Sequence, residues 1–146
     1  MHIFDLLKKG FLSDSPEETQ AVAEQFAEAL PENQILKLSG SLGTGKTTFI
    51  QGLAKGWDIS ESVKSPTFNL YSIYKGSRQL VHFDAYRLGD PSEAEDLLIE
   101  EFLNPPYCLA IEWPEKVEGW MEEDAWYLSF SIEGLKKHKV MLVSSP

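Results

Sequence analysis

The sequence predicts an α/β domain in which a central mixed β-sheet carries flanking helices and is closed at its edges by antiparallel hairpins. Three observations predict it. A short apolar run at 35–38 passes through a glycine-rich loop straight into a helix-like stretch. Two more apolar runs, 80–83 and 107–111, each end in an acid. Stretches with helical apolar spacing separate these strand-like runs, which is the alternation an α/β sheet needs. No repeat, low-complexity tract or linker divides the chain, so residues 1–146 are expected to form a single domain.

Each element has a local reason. Ser15-Pro16-Glu17-Glu18 combines an N-cap hydroxyl, a proline where no intrahelical donor is lost, and a glutamate at the capping-box position. Val22, Ala23, Phe26, Ala27 and Leu30 then recur at helical spacing, so one face covers a core until Pro31 stops the helix. Residues 35–38 read as a strand, and a second helix runs from the loop to about Lys55. A β-like stretch at 69–74 is turned by Lys75-Gly76-Ser77 into a partner strand at 80–83. Asp90-Pro91-Ser92-Glu93 starts a third helix with Ala94, Leu97, Leu98 and Phe102 as its apolar stripe, ended by Asn104-Pro105-Pro106. Residues 107–111 form a further strand, and 126–132 with 140–143 make a closing hairpin around Gly134.

Composition narrows the class. With 146 residues, 42% hydrophobic and 25% charged, the chain is an ordinary globule. A domain near this size buries roughly 70% of its unfolded surface. No apolar run reaches the ~18 residues of a membrane span, and MHIFDLLKKGFL is too short, with its lysines too late, for a secretory signal. The lone cysteine, Cys108, excludes an internal disulfide and lies in an apolar run, as a buried thiol would. The cytosol is the expected compartment. Thirteen basic against twenty-three acidic side chains give a formal charge of -10, and only Arg78 and Arg87 are arginines. Broad nucleic-acid binding by this chain alone is disfavoured, because phosphate-backbone affinity needs clustered Lys and Arg. The acid concentrates at 93–101 and 112–124, as solvated faces or as a docking face for a basic partner.

The loop is the strongest signal. Gly40-Ser41-Leu42-Gly43-Thr44-Gly45-Lys46-Thr47 satisfies GxxxxGK[ST] with a strand before it and a helix after it, the context of a P-loop. Glycines let the backbone turn and approach phosphates without a Cβ in the way, so successive N–H groups form an anion nest at a helix N-terminus. Lys46 can reach the β- and γ-phosphates and the Thr47 hydroxyl can ligate Mg²⁺. The candidate nucleotide-binding residues are therefore Ser41, Leu42, Gly43, Thr44, Gly45, Lys46, Thr47 and Thr48. Such a loop works with a carboxylate at the end of a neighbouring strand. Asp84 and Glu112 both qualify, and pattern alone does not rank them. Two such acids suggest two roles, one on the metal and one orienting the attacking water.

With GSLGTGKTTF, SPTF (Ser65, Pro66, Thr67, Phe68), HFDAYRL from His82 and EWPE from Glu112 in this order, the chain closely resembles the bacterial TsaE (YjeE) family. The resemblance runs from the first capped helix to EWPE. Those proteins are small P-loop ATPases needed to make threonylcarbamoyl-adenosine in tRNA. One departure is visible: the family often has aspartate where this chain has Ser41, which leaves the phosphate-binding residues untouched.

The resemblance implies roles. Asp84 would be the Walker B acid on Mg²⁺, Glu112 the acid near the attacking water and a candidate metal ligand, and Thr67 the switch threonine sensing the γ-phosphate. Trp113 would line or report on the nucleotide site, and Arg87 could stabilise transition-state charge, contact a partner or form a surface salt bridge. The catalytic set is then Glu112, Lys46 and Thr67, with Thr47, Asp84 and Glu112 around the metal. The family further implies ATP and Mg²⁺ as cofactors and a TsaB–TsaD pair as partner, with tRNA held mainly through that complex and hydrolysis slow until the partner is engaged. Two other classes stay open. A small-molecule kinase would need an arginine-bearing lid, hard to build from two arginines. A GTP-dependent switch would usually carry N-K-x-D, which this sequence lacks.

Overall fold

Seven strands hydrogen-bond into one mixed sheet in the computed structural model, which describes residues 1–66 and 70–146. In chain order the elements are α1 (Ile3–Lys9), β1 (Phe11–Ser13), α2 (Pro16–Ala29), β2 (Gln34–Ser39), α3 (Lys46–Gly56), β3 (Tyr71–Tyr74), β4 (Gln79–Asp84), α4 (Ser92–Asp96), β5 (Tyr107–Glu112), β6 (Ala125–Gly134) and β7 (Lys137–Ser144). Short 3-10 turns occupy Ile99–Phe102 and Pro114–Val117. The strand order is β1-β7-β6-β2-β5-β4-β3. Strand β2 runs parallel to both β5 and β6, and β4 runs parallel to β5. The antiparallel pairs β3–β4 at one side of the sheet and β6–β7 at the other are the hairpins the signals predicted, and β1 adds antiparallel to β7 as the outermost strand.

The two faces are covered differently. Leu36 and Leu38 of β2, Leu80, Cys108, Ala110, Leu128, Phe130 and Val140 join Phe26, Phe49, Ile50 and Leu53 in a core beneath α2 and α3. Phe26 sits at its centre, edge-on to Trp126 with ring centroids 5.9 Å apart and 5.8 Å from Phe49. The alternate residues Val81, Phe83, Leu109 and Ile111 face the other way and meet Ala94, Ile99, Val117 and Trp120. Burial lifts the enclosed Cys108 thiol to about 12, with Arg78 opposing, so it stays protonated.

Helices α2 and α3 pack unusually close. A Cβ on Gly52 would stand 2.5 Å from the Gln20 carbonyl oxygen and 2.6 Å from the Ala23 Cβ, so only glycine fits at this crossing. Ser15 caps α2 as expected, its hydroxyl accepting from the Glu18 amide at 3.1 Å. Glu18 reaches one residue further back than a capping box requires, accepting from the Asp14 amide at 2.7 Å.

Three features depart from the sequence expectations. Helix α1 and strand β1 lie in a stretch with no periodic signal long enough to read, and β1 exists because β7 offers it an edge. The predicted third helix is interrupted: α4 ends at Asp96 and Leu98 takes a left-handed φ of 53° before the 3-10 turn. Ala94 and Ile99 both insert into the second core, yet five residues of continuous helix would set them about 140° apart. The break reconciles them and leaves the expected stripe members Leu98 and Phe102 at 51% and 40% exposure. Finally, Lys37 of β2 is only 1% exposed. Its ammonium donates to the Trp120 carbonyl at 2.8 Å and lies 3.2 Å from Glu122. The Tyr127 hydroxyl donates to the same Glu122, whose carboxyl is held down at about 2 by that bond, the Gly119 amide and Lys37.

Candidate functional site

The carboxyl ends of the parallel strands β2, β4 and β5 meet at one end of the sheet, where open α/β sheets place their ligands. Strand β2 ends at Ser39 and the glycine-rich loop follows. Gly40 holds φ at 150°, and a Cβ there would meet the Phe130 carbonyl oxygen at 2.6 Å, so the first loop glycine is required sterically. Thr44 donates its hydroxyl to the Ser41 carbonyl at 2.7 Å and His138 of β7 donates from Nδ1 to the Thr44 carbonyl at 3.0 Å. Gly45 then caps α3 in a left-handed conformation, φ 103°, with no side-chain hydrogen bond to the first helical amides, the groups that bind anions at a helix N-terminus. Lys46 folds back to donate to the Gly40 carbonyl and rests 4.0 Å from the centroid of the Trp113 ring.

The acids arrive by register. Asp84 and Glu112 are directly paired across β4 and β5, so the pleat points both to the α3 side of the sheet. The Thr47 hydroxyl lies 2.9 Å from the Ser65 hydroxyl and donates to Glu112 Oε2 at 3.5 Å, the outer limit of a hydrogen bond. Glu112 is 4% exposed, and His82 Nε2 stands 2.5 Å from its Oε2. Asp84 Oδ1 accepts the Tyr86 amide at 3.0 Å. Trp113, at φ 59°, turns the chain out of β5 and stacks its ring obliquely on Tyr86, 4.9 Å away.

Charge in this cleft is poorly compensated. Burial holds the Lys46 ammonium below the ordinary lysine range, against the pull of Glu112, Asp84 and Glu115. Burial likewise raises the Asp84 carboxyl above the ordinary carboxylate range. The Tyr86 amide opposes that rise, Glu112 adds to it as a like charge, and His82 and Lys46 oppose it. An anion against the loop and a cation between the acids would relieve both, so the residues fit a phosphate group with a divalent metal. Among the described residues no three His, Cys, Asp or Glu side chains gather as a metal cage. Magnesium does not need one, since one or two carboxylates plus phosphate oxygens usually hold it.

Leu42, Gly43, Thr44, Gly45, Lys46, Thr47, Thr48, Asp84, Glu112 and Trp113 line one cleft of about 320 Å³, together with Ser65 and His138. Ser41 is exposed outside that lining and serves the loop turn through its carbonyl. Thr67 lies outside the described residues, and Arg87 is exposed beyond Asp84. Sequence reasoning missed His138, Ser65 as the partner of Thr47, and His82. Only the last carried a signal, a polar residue in an otherwise apolar strand. It also missed a second cavity of about 230 Å³ that shares Gly45, Thr48 and His138 with the cleft and is walled by Ser13, Asp14, Ser15, Pro16, Thr19 and Lys136.

Comparison with known proteins adds to this geometry. A family model for threonylcarbamoyl adenosine biosynthesis protein TsaE matches residues 13–140. The tRNA threonylcarbamoyladenosine biosynthesis protein TsaE of Bacillus subtilis is 38% identical over 111 residues, 75% of this chain and 69% of that protein. The protein of the same name from Treponema pallidum is 35% identical over 121 residues, 83% of this chain and 90% of its own. The crystal structure of Bacillus subtilis YdiB superposes with a TM-score of 0.73 at 31% identity, covering 90% of this chain and 81% of that one.

Proposed function

Because this chain belongs to the TsaE family of threonylcarbamoyl adenosine biosynthesis proteins, we propose that it binds ATP with Mg²⁺ and hydrolyses it slowly in support of tRNA threonylcarbamoyl-adenosine synthesis. One observation carries the reading: Lys46, Thr47, Asp84 and Glu112 converge on a single cleft at the carboxyl ends of β2, β4 and β5. Residues 1–146 act in this reading as one nucleotide-binding unit.

The chain's own groups divide the work. Loop amides and Lys46 hold the β- and γ-phosphates, a role supported by the position of the Lys46 ammonium against the Gly40 carbonyl of the same loop. Thr47 and Asp84 hold the metal, with Glu112 beside them. Magnesium held there would supply positive charge to the phosphates during hydrolysis. Glu112 orients the attacking water through its buried carboxylate. Positioning and charge supply most of the acceleration, so no strong base is needed. The cavity beyond Thr48 supports a place for the nucleoside, since it opens from the same first turn of α3 that carries the phosphate loop.

Hydrolysis on a TsaB–TsaD pair, resetting that complex between cycles, completes the proposal. A formal charge of -10 supports leaving the tRNA mainly to the partners. Turnover of the purified chain with and without the pair tests it: stimulation is expected, and equal rates end the partner-activated reading. Glu112→Ala should keep ATP binding and lose turnover; unchanged turnover removes Glu112 from the water-orienting role.

A further inference from the structure

We propose that His82 is a positioning residue that locks the Glu112 carboxylate in its working orientation through a single Nε2–H hydrogen bond. The inference rests on the hydrolytic reading above and adds a residue which that reading does not use.

His82 is fully buried in the middle of β4, among Leu80, Val81 and Phe83. A polar side chain in such a place is ordinarily satisfied at each of its polar atoms. Here the satisfaction is one-sided. Nε2 lies 2.5 Å from Glu112 Oε2, while Nδ1 is buried without a hydrogen-bond partner among the described residues. An imidazole kept only to fill space would be better replaced by an apolar ring, which strands no nitrogen. What the histidine adds is the one bond to Glu112.

The direction of that bond follows from its partners. An ionised carboxylate only accepts, so the imidazole donates from Nε2, and Nδ1 is the nitrogen left without a partner among the described residues. The terminal torsion of a glutamate is broad and nearly two-fold, so an untethered carboxylate samples many orientations. Anchoring Oε2 removes that freedom and fixes Oε1 with it. The register makes the contact possible. His82 pairs with Ala110 and Asp84 with Glu112, so His82, Asp84 and Glu112 share one face and the imidazole reaches Glu112 diagonally across one pleat. Outer partners of this kind usually change activity or metal affinity by about 10- to 100-fold when removed.

Glutamine places an amide N–H near the position of imidazole Nε2, whereas asparagine places one near Nδ1. We expect His82→Gln to keep most of the turnover. His82→Asn and His82→Leu should lose about 10- to 100-fold in kcat with little change in ATP affinity. Equal turnover in the Gln and Asn variants, or parental turnover in the Leu variant, overturns the proposal. A readout independent of turnover is the ¹⁵N spectrum of the imidazole in the unliganded protein. The Nε2–H tautomer is expected, with a proton resonance that is lost or moves sharply in Glu112→Ala. An Nδ1–H tautomer, or a spectrum indifferent to Glu112→Ala, overturns it as well. Should the Asn or Leu variant not fold, the tautomer result decides. A chain that hydrolyses no ATP, or parental turnover in Glu112→Ala, sinks the hydrolytic reading instead and leaves the spectrum to judge the contact.

Discussion

Replacing Gly52 with alanine sets two opposite effects against each other, and the crossing of α2 and α3 decides between them. In an open helix the change stabilises by about 1 kcal/mol through helix propensity, and a buried methyl adds about 0.8 kcal/mol at most. Here the new Cβ would stand 2.5 Å from the Gln20 carbonyl oxygen and 2.8 Å from the Gln20 Cα, where ordinary contact begins at 3.4 Å. Those atoms are helix backbone and cannot rotate away, so α2 must retreat from α3 by roughly 1 Å. Overpacking of this kind costs about 1–3 kcal/mol, and a backbone obstacle puts it at the upper end. The expected net loss is about 1–2 kcal/mol, or about 2–8 °C in melting temperature for a chain of this length. Thermal unfolding followed by circular dichroism measures it. A rise in melting temperature, as an uncrowded helical glycine would give, refutes the close approach and with it the account of how α3 is seated.

Other consequences follow from the site and its supports. Gly40→Ala drives a Cβ into the Phe130 carbonyl and displaces the loop; misplacement near 1 Å can cost about 100-fold in rate, and ATP turnover should fall by that order. Asp84→Asn should raise the melting temperature of the unliganded protein at neutral pH while weakening magnesium-dependent nucleotide binding by about tenfold or more. The sign comes from its raised pKa: the site favours the neutral carboxyl, so stability present at low pH is lost as the group ionises. Lys37→Met strands the Trp120 carbonyl and should destabilise by about 1–3 kcal/mol in urea unfolding. Glu122 is held down from 4.5 to about 2, so its contribution is complete above pH 4.5 and fades as pH falls toward 2. Tyr127→Phe removes the largest cause of that lowering, so the Glu122 contribution should be smaller and its loss complete at a higher pH in acid unfolding curves.

The readable part of the molecule was the part written locally. A strand, a glycine loop and a helix in succession, or an acid closing an apolar run, are set by neighbours in sequence, and the P-loop, Asp84, Glu112 and both edge hairpins were legible for that reason. What escaped depends on residues far apart. Lys37 looks like the solvent-facing member of an alternating strand, and only Trp120, 83 positions away, makes it a buried tether. The third helix has good apolar spacing, but the second core wants Ala94 and Ile99 together, and packing overrides local periodicity. The second cavity needs β1 against β7, a pairing no pattern at the N-terminus announces. His82 was visible as part of a motif, yet its bond to Glu112 spans 30 positions and two strands.

The pairing of Asp84 with Glu112 across β4 and β5 also governs which length changes the chain can absorb. Successive strand residues alternate faces, so inserting or deleting one residue within 80–83 or 108–111 would carry the neighbouring acid to the far side of the sheet. The apolar runs would still make strands, and the fold could survive with its chemistry turned inside out. The connection at 85–106 carries no such parity, and loop closure grows only slowly with length. Variation among working sequences should therefore collect in that connection by any number of residues, and enter the two strands only in twos or not at all.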